Sequence, residues 1–292
     1  MKRVKLVVAY DGTNYCGWQV QPNGVSVSSV LNRHLGELLG EDIYVLGASR
    51  TDAGVHARGN VAVFDTAARM PADRISYALN SRLPADIRIQ DSCEVPLNFH
   101  PRFRKSRKTY EYKIWNCRFP DPCSRLYSLF YHWDLDVERM RRAASYLVGT
   151  HDFTSFCTNK PEVKNRVRTI YSMDILFEPD PALFSGGNAF SQIRENEDSQ
   201  IPEKETAGAA KTPPEGGRCR PGRAGGMITV RVCGSGFLYN MVRIIVGTLL
   251  EVGGGRMEPE EIPKILEAKD RSLAGDTAQA HGLTLIGIEY EK

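Results

Sequence analysis

Arg3-Val4-Lys5-Leu6-Val7-Val8-Ala9-Tyr10-Asp11-Gly12 alternates apolar and other residues with a period of two and then stops on Asp-Gly. Val4, Leu6, Val8 and Tyr10 fall on one face, which reads as a strand with one side turned to a core. A helical stripe follows: Val27, Val30, Leu31, Leu35, Leu38 and Leu39, with Ser26 placed to cap its start and Gly40 to end it. Ile43 to Ala48 reads as a short strand, Asn60 to Phe64 as another, and Ile87 to Val95 as a last one. Between the last two, Pro71 opens a helix carrying Ile75, Ala78 and Leu79. The order β-α-β-β-α-β is the ferredoxin-like split motif.

The remainder repeats that order. Thr109 to Trp115 alternates with Tyr110, Tyr112 and Ile114 on one face. Asp136 caps a helix with Val137, Met140, Ala144 and Leu147 that ends at Gly149. Arg168 to Phe177 and Met227 to Cys233 read as strands. Phe237, Met241, Ile244, Ile245, Thr248 and Val252 form the stripe of a long helix stopped by Gly253-Gly254-Gly255. A shorter helix starts at Pro259, and Leu283 to Glu289 closes the sheet. The fold class expected is α+β: two ferredoxin-like halves, residues 1–100 and 101–292, of the kind also seen in RNA-recognition modules. Together they form an extended mixed, mainly antiparallel sheet with helices on one side and a central cleft between the halves, where ligands tend to bind. One segment stands outside the plan. From about 179 to 226 the composition turns to Gly, Pro, Ser and charge, which reads as a disordered surface insert. The alternative is an arm that touches a nucleic acid. It falls on the connection that matches the Asp52 loop of the first half.

Composition narrows the class. The chain has 292 residues, 41% hydrophobic and 25% charged, with a net charge of only +3, as in ordinary globular proteins. No apolar run is long enough to span a membrane, and Met1-Lys2-Arg3 does not begin a signal peptide. Seven cysteines without a Cys-x-x-Cys pair read as reduced cytosolic thiols. Six dispersed histidines without a His-x-x-x-His pair speak against a metal centre.

Three stretches carry chemistry. Ser49-Arg50-Thr51-Asp52-Ala53-Gly54-Val55-His56-Ala57 places a cation two positions before a carboxylate, followed by small residues that let another molecule approach. An Asp in a turn is ordinarily a cap or a turn hydrogen-bonder; the other reading is an ionised acid held open, with Arg50 favouring its charge. Arg102, Arg104, Lys105, Arg107 and Lys108 put five cations in seven residues just before Tyr110-Glu111-Tyr112. Such a run is either a solvated face or a surface for phosphates and stacked bases. Tyr110 itself reads as a core aromatic or as a ring for an extruded base. In Gly234 to Gly247 a glycine turn leads into an apolar helix containing Arg243. An arginine in that setting needs an anion, and Asp52 is the candidate. His100, within Phe99-His100-Pro101-Arg102-Phe103, reads as a structural hydrogen-bonder.

These stretches, in this order, resemble the TruA family of tRNA pseudouridine synthases over nearly the whole chain. Ser49 to Ala57 is similar to its Arg-Thr-Asp-x-Gly-Val-His-Ala signature, Lys108 to Tyr112 to its tyrosine strand, and Phe237 to Gly247 to its third motif. Val8 to Gln19 and Ala268 to Arg271 also resemble family segments. Ser49 departs from the usual Gly, Asn60 from the common Gln, and the insert is unusual. The resemblance implies a cytoplasmic homodimer that isomerises uridine to pseudouridine in the tRNA anticodon stem-loop, at tRNA positions 38–40, with no metal or organic cofactor. It further implies Asp52 as the catalytic nucleophile or base, Tyr110 stacked on the uracil, Arg50 filling the vacated base stack and Arg243 paired with Asp52. The rival readings are a tRNA-binding or tRNA-folding protein without catalysis, a related synthase with another RNA target, and a carboxylate-dependent hydrolase of small molecules.

Overall fold

The computed structural model describes residues 1–22, 24–158, 165–180 and 225–291. Its strands are β1 (Lys2–Tyr10), β2 (Leu46–Gly47), β3 (His56–Thr66), β4 (Ile87–Val95), β5 (Ser106–Asn116), β6 (Leu129–Phe130), β7 (Gly149–Asp152), β8 (Val167–Pro179), β9 (Gly226–Gly234) and β10 (Leu283–Tyr290). The helices are α1 (Val27–Leu39), α2 (Ala72–Asn80), α3 (Val137–Ser145), α4 (Met241–Gly253) and α5 (Glu261–Ala268).

The strands form one ten-stranded sheet in the order β4-β1-β3-β10-β5-β9-β8-β7, with β2 on β3 and β6 on β5. Two copies of one plan are visible in that order. β4-β1-β3-β2 is the split β-α-β-β-α-β arrangement, and β10-β5-β9-β8 repeats it strand for strand. Most pairings are antiparallel; β10 lies parallel to β3 through Thr284 opposite His56 and Leu285 opposite Ala57. On its other side β10 runs antiparallel to β5. The last strand of the chain therefore sews the two copies together, and the loop before β3 is brought beside the middle of β5. The β8–β9 connection, equivalent in the repeat to the loop between β2 and β3, holds the insert expected at about 179–226. All but its ends lies outside the described residues; those ends meet, with the Asp180 amide donating to Gly225 O at 2.9 Å.

Burial follows the alternation. Val4, Leu6, Val8 and Tyr10 of β1, Tyr110, Tyr112 and Ile114 of β5, and Ile228, Val230 and Val232 of β9 are all buried in one core. α1 has the boundaries its sequence predicts. Ser26 and Ser29 form a reciprocal capping pair, and Gly40 ends the helix in the left-handed conformation at φ 71°.

Three expectations need correction. The strand expected over 43–48 shrinks to Leu46–Gly47, because the Val45 amide donates to Asn32 Oδ1 at 2.9 Å and not to a neighbouring strand. Gly149 begins β7 rather than ending α3, which stops at Ser145. The stripe assigned to the long helix from Phe237 starts only at Met241, since Asn240 is left-handed at φ 60° and breaks the helical path.

α4 is pinned by an unusually close crossing. A Cβ on Gly247 would sit 1.7 Å from Asp276 O, and Thr248 Oγ1 accepts from the Gly275 amide at 2.9 Å. Gly247→Ala should therefore cost about 3 kcal/mol by forcing the 274–278 segment off the helix. Denaturant unfolding measures this loss; an unchanged midpoint would mean that the segment gives way freely.

Candidate active site

Asp52 lies in a loop that three elements hold from outside. The Trp18 amide donates to Thr51 O at 3.1 Å, and the Val55 amide turns back to Asp52 O at 3.2 Å. Gly17, at φ 105°, lets this support approach: a Cβ there would lie 2.5 Å from Thr51 O. From the second half of the chain, Arg102 Nε donates to Gly47 O at 2.7 Å and Lys108 Nζ to Ala48 O at 3.1 Å. The Tyr110 hydroxyl and Ser49 Oγ are 2.7 Å apart. Three successive loop residues are thus gripped by the stretch 102–110. His56, 4% exposed, accepts from the Gly12 amide through Nδ1 at 3.0 Å and sets Nε2 at 3.0 Å from Leu126 O. It is a clamp at the loop's far end.

The structure brings all four expected site residues to one cavity of about 910 Å³, lined by Arg50, Asp52, Tyr110 and Arg243 together with Lys108, Phe237 and others. Arg243 Nη1 stands 3.8 Å from Asp52 Oδ2, and both side chains are largely shielded, at 17% and 24% exposure. The guanidinium is aimed by two further bonds, Nε to Ala278 O at 2.7 Å and Nη1 to Asn240 Oδ1 at 3.0 Å. Tyr110 faces Phe237 edge-on, with ring centres 5.3 Å apart and planes at 87°. Burial pushes the Tyr110 phenol up to about 12; the Ser49 hydrogen bond opposes this and the Asp52 charge adds to it. Arg50 is exposed on the cavity wall.

The cationic run divides. Arg102, Lys108 and, from β8, Arg168 line the cavity, while Lys105 pairs with Glu291 at 4.0 Å and Arg107 packs over the Tyr171 ring at 4.8 Å. Burial brings the Lys108 ammonium down to about 8, with Arg102 and Arg168 adding to the shift. His100 accepts from the amides of Arg102 and Phe103 through Nδ1, the structural role its sequence suggests. Reasoning from sequence missed Lys108 and Phe237 as wall residues. Lys108 was hidden in a generic charge run and Phe237 in the apolar stripe.

Because its folded pKa lies below the ordinary 10.5, Lys108 loses its charge near pH 8 in the protein. Any RNA affinity it supplies is present at pH 7 and fades as pH rises through 8. Affinity for tRNA should fall about fivefold between pH 7 and 9 beyond the change shown by Lys108→Met, whose curve is flat over that window. Binding titrations at constant ionic strength measure the difference; parallel curves would remove Lys108 from the contact.

Comparison with known proteins supplies the family. Residues 6–104 and 143–291 match the model of a family described as tRNA pseudouridine synthase. The chain is similar to the tRNA pseudouridine synthase A of Acetivibrio thermocellus, 41% identical over 290 residues, which is 99% of this chain and 100% of that one. It is 40% identical over 292 residues to that of an Exiguobacterium strain, covering 100% and 99% of the two chains. Against that of Halalkalibacterium halodurans it is 41% identical over 284 residues, 97% and 90% of the two. The fold and the match together place the chain among RNA-modifying isomerases. It belongs to the tRNA pseudouridine synthase family.

Proposed function

We propose that Asp52 is the nucleophile of a uridine isomerisation in the tRNA anticodon stem-loop, at tRNA positions 38–40. As a member of its family the protein is an isomerase that converts uridine to pseudouridine in tRNA. Overall, the N1–C1′ bond breaks, a C5–C1′ bond forms, C5 gives up a proton and N1 gains one. No net oxidation occurs, so the reaction calls for no cofactor. A carboxylate suits the step because a covalent intermediate divides one hard bond exchange into two easier ones. The target must leave the helix to reach the cavity, at a cost of a few kcal/mol. Arg50, on the exposed wall, fills the vacated position. Tyr110 stacks on the uracil and relays the C5 proton, taking it up as its own O–H proton passes to water in the open cavity, while Arg243 holds the Asp52 charge where water is scarce. The protein acts in the cytoplasm as a homodimer, with residues 1–100 and 101–292 contributing opposite walls of each site. Among the described residues no helix is long and apolar enough to cross a membrane.

The observation that carries this reading is the meeting of Asp52, Tyr110 and Arg243, from three distant segments, at one cavity. A binding protein without catalysis does not require that set, and a small-molecule hydrolase does not explain the cations around it. Pseudouridine mapping of total tRNA from cells with and without the protein tests it. Loss confined to the anticodon stem-loop is the expected result, and loss elsewhere or none overturns the assignment.

A further inference from the structure

Ser49 and Asn60 lie together in one buried network behind the Asp52 loop. Ser49 is 7% exposed and Asn60 fully buried. Asn60 grips the Ser49 peptide from both sides: its Oδ1 accepts from the Ser49 amide at 3.3 Å and its Nδ2 donates to Ser49 O at 3.0 Å. Nδ2 also reaches the Tyr10 hydroxyl at 3.4 Å, which is 2.7 Å from Thr51 Oγ1. Both neighbours of Arg50 are thereby tied inward. Out of this frame the Ser49 hydroxyl meets the Tyr110 hydroxyl at 2.7 Å.

We propose that Ser49 is a positioning residue for Tyr110, and that Asn60 fixes the peptide that carries it. This rests on the role given to Tyr110 above. Phe237, edge-on at 5.3 Å, sets the plane of the Tyr110 ring, but leaves its O–H free to rotate about the C–O bond. The Ser49 hydroxyl removes that freedom. With the phenol donating to Ser49, a phenol lone pair is turned to the cavity; with Ser49 donating, the phenol O–H is turned there. A glycine at 49 supplies no such partner. A glutamine at 60 would carry one more methylene into a fully buried position whose amide makes both Ser49 bonds. The Asn60 amide therefore seats the loop at the depth where the Ser49 hydroxyl meets the phenol.

A double-mutant cycle on the full chain with tRNA tests this. Ser49→Ala should lower kcat about tenfold with KM changed less than twofold, the loss of one buried hydrogen bond in the transition state. In a Tyr110→Phe background, where the hydroxyl it serves is gone, the same substitution should cost less than twofold. Asn60→Gln should lower kcat as Ser49→Ala does, and it too should have no further effect in the Tyr110→Phe background. Equal losses in both backgrounds, or no loss from Ser49→Ala, overturn the proposal. Should Ser49→Ala not fold, Ser49→Gly carries the same test. Wild-type turnover by Tyr110→Phe itself is a different failure, since it removes Tyr110 from the reaction.

Discussion

Asp52→Ala is expected to lower pseudouridine formation by about 10⁴-fold, the scale on which removal of a covalent nucleophile acts, while tRNA affinity changes by less than about threefold. The asymmetry follows from the structure. The loop is held by its backbone, through bonds at Gly47, Ala48 and Thr51, and by the Ser49 side chain. Removing the Asp52 carboxylate leaves those anchors in place, so the cationic wall survives for phosphate binding. Single-turnover formation of pseudouridine and a filter-binding titration on the same preparation measure the two quantities. Asp52→Asn keeps the shape and removes the charge, and should be as inactive as the alanine variant. Equal collapse of binding and turnover would make Asp52 a structural residue and end its catalytic assignment.

Arg243→Gln should lower turnover by about 10²-fold, comparable with the loss of one fixed donor aimed at a reacting charge. At 3.8 Å from Asp52 Oδ2, a shielded cation interacts with the carboxylate far more strongly than it would in water. Glutamine retains one donor for Ala278 O or Asn240 Oδ1 but has no charge for Asp52. Arg243→Lys keeps the charge and loses the fork that reaches Ala278 and Asn240 together, so it should fall between wild type and the glutamine variant. Because Asn240 is the left-handed residue before α4, circular dichroism must show the helix intact before rates are compared. Wild-type turnover in Arg243→Gln would leave Arg243 as a tie between α4 and the 274–278 segment and nothing more.

Local signals explain which elements were legible. α1 was readable to the residue because its caps are side-chain and conformational events written in Ser26, Ser29 and Gly40. β4 was readable from its first residues, where the alternation of Ile87 and Ile89 matches their burial. β2 was not, since Ile43 and Val45 are buried apolar residues whose burial needs no strand partner. Phe237 was misplaced for a related reason. Periodicity counts apolar residues and is blind to a left-handed Asn240 that turns the chain before the helix begins. Among the cations before Tyr110, Lys108 could not be told from Lys105 or Arg107 by residue type. What separates them is that Lys108 shares the face of Tyr110 and is buried against Arg102 and Arg168.

By itself the order of apolar periods and caps determined a doubled β-α-β-β-α-β plan, and the motifs around Asp52, Tyr110 and Arg243 determined which side chains to watch. Both are local properties, carried by residues within a few turns or a few strand positions of one another. Only the tertiary structure decided that β10 joins the two copies, that three stretches separated by more than fifty residues meet at one cavity, and that Ser49 touches the Tyr110 phenol. Those contacts depend on the register of β3, β10 and β5 and on the close crossing at Gly247. Register and crossing distance are fixed by the packing of the whole core, and no single stretch of sequence encodes them.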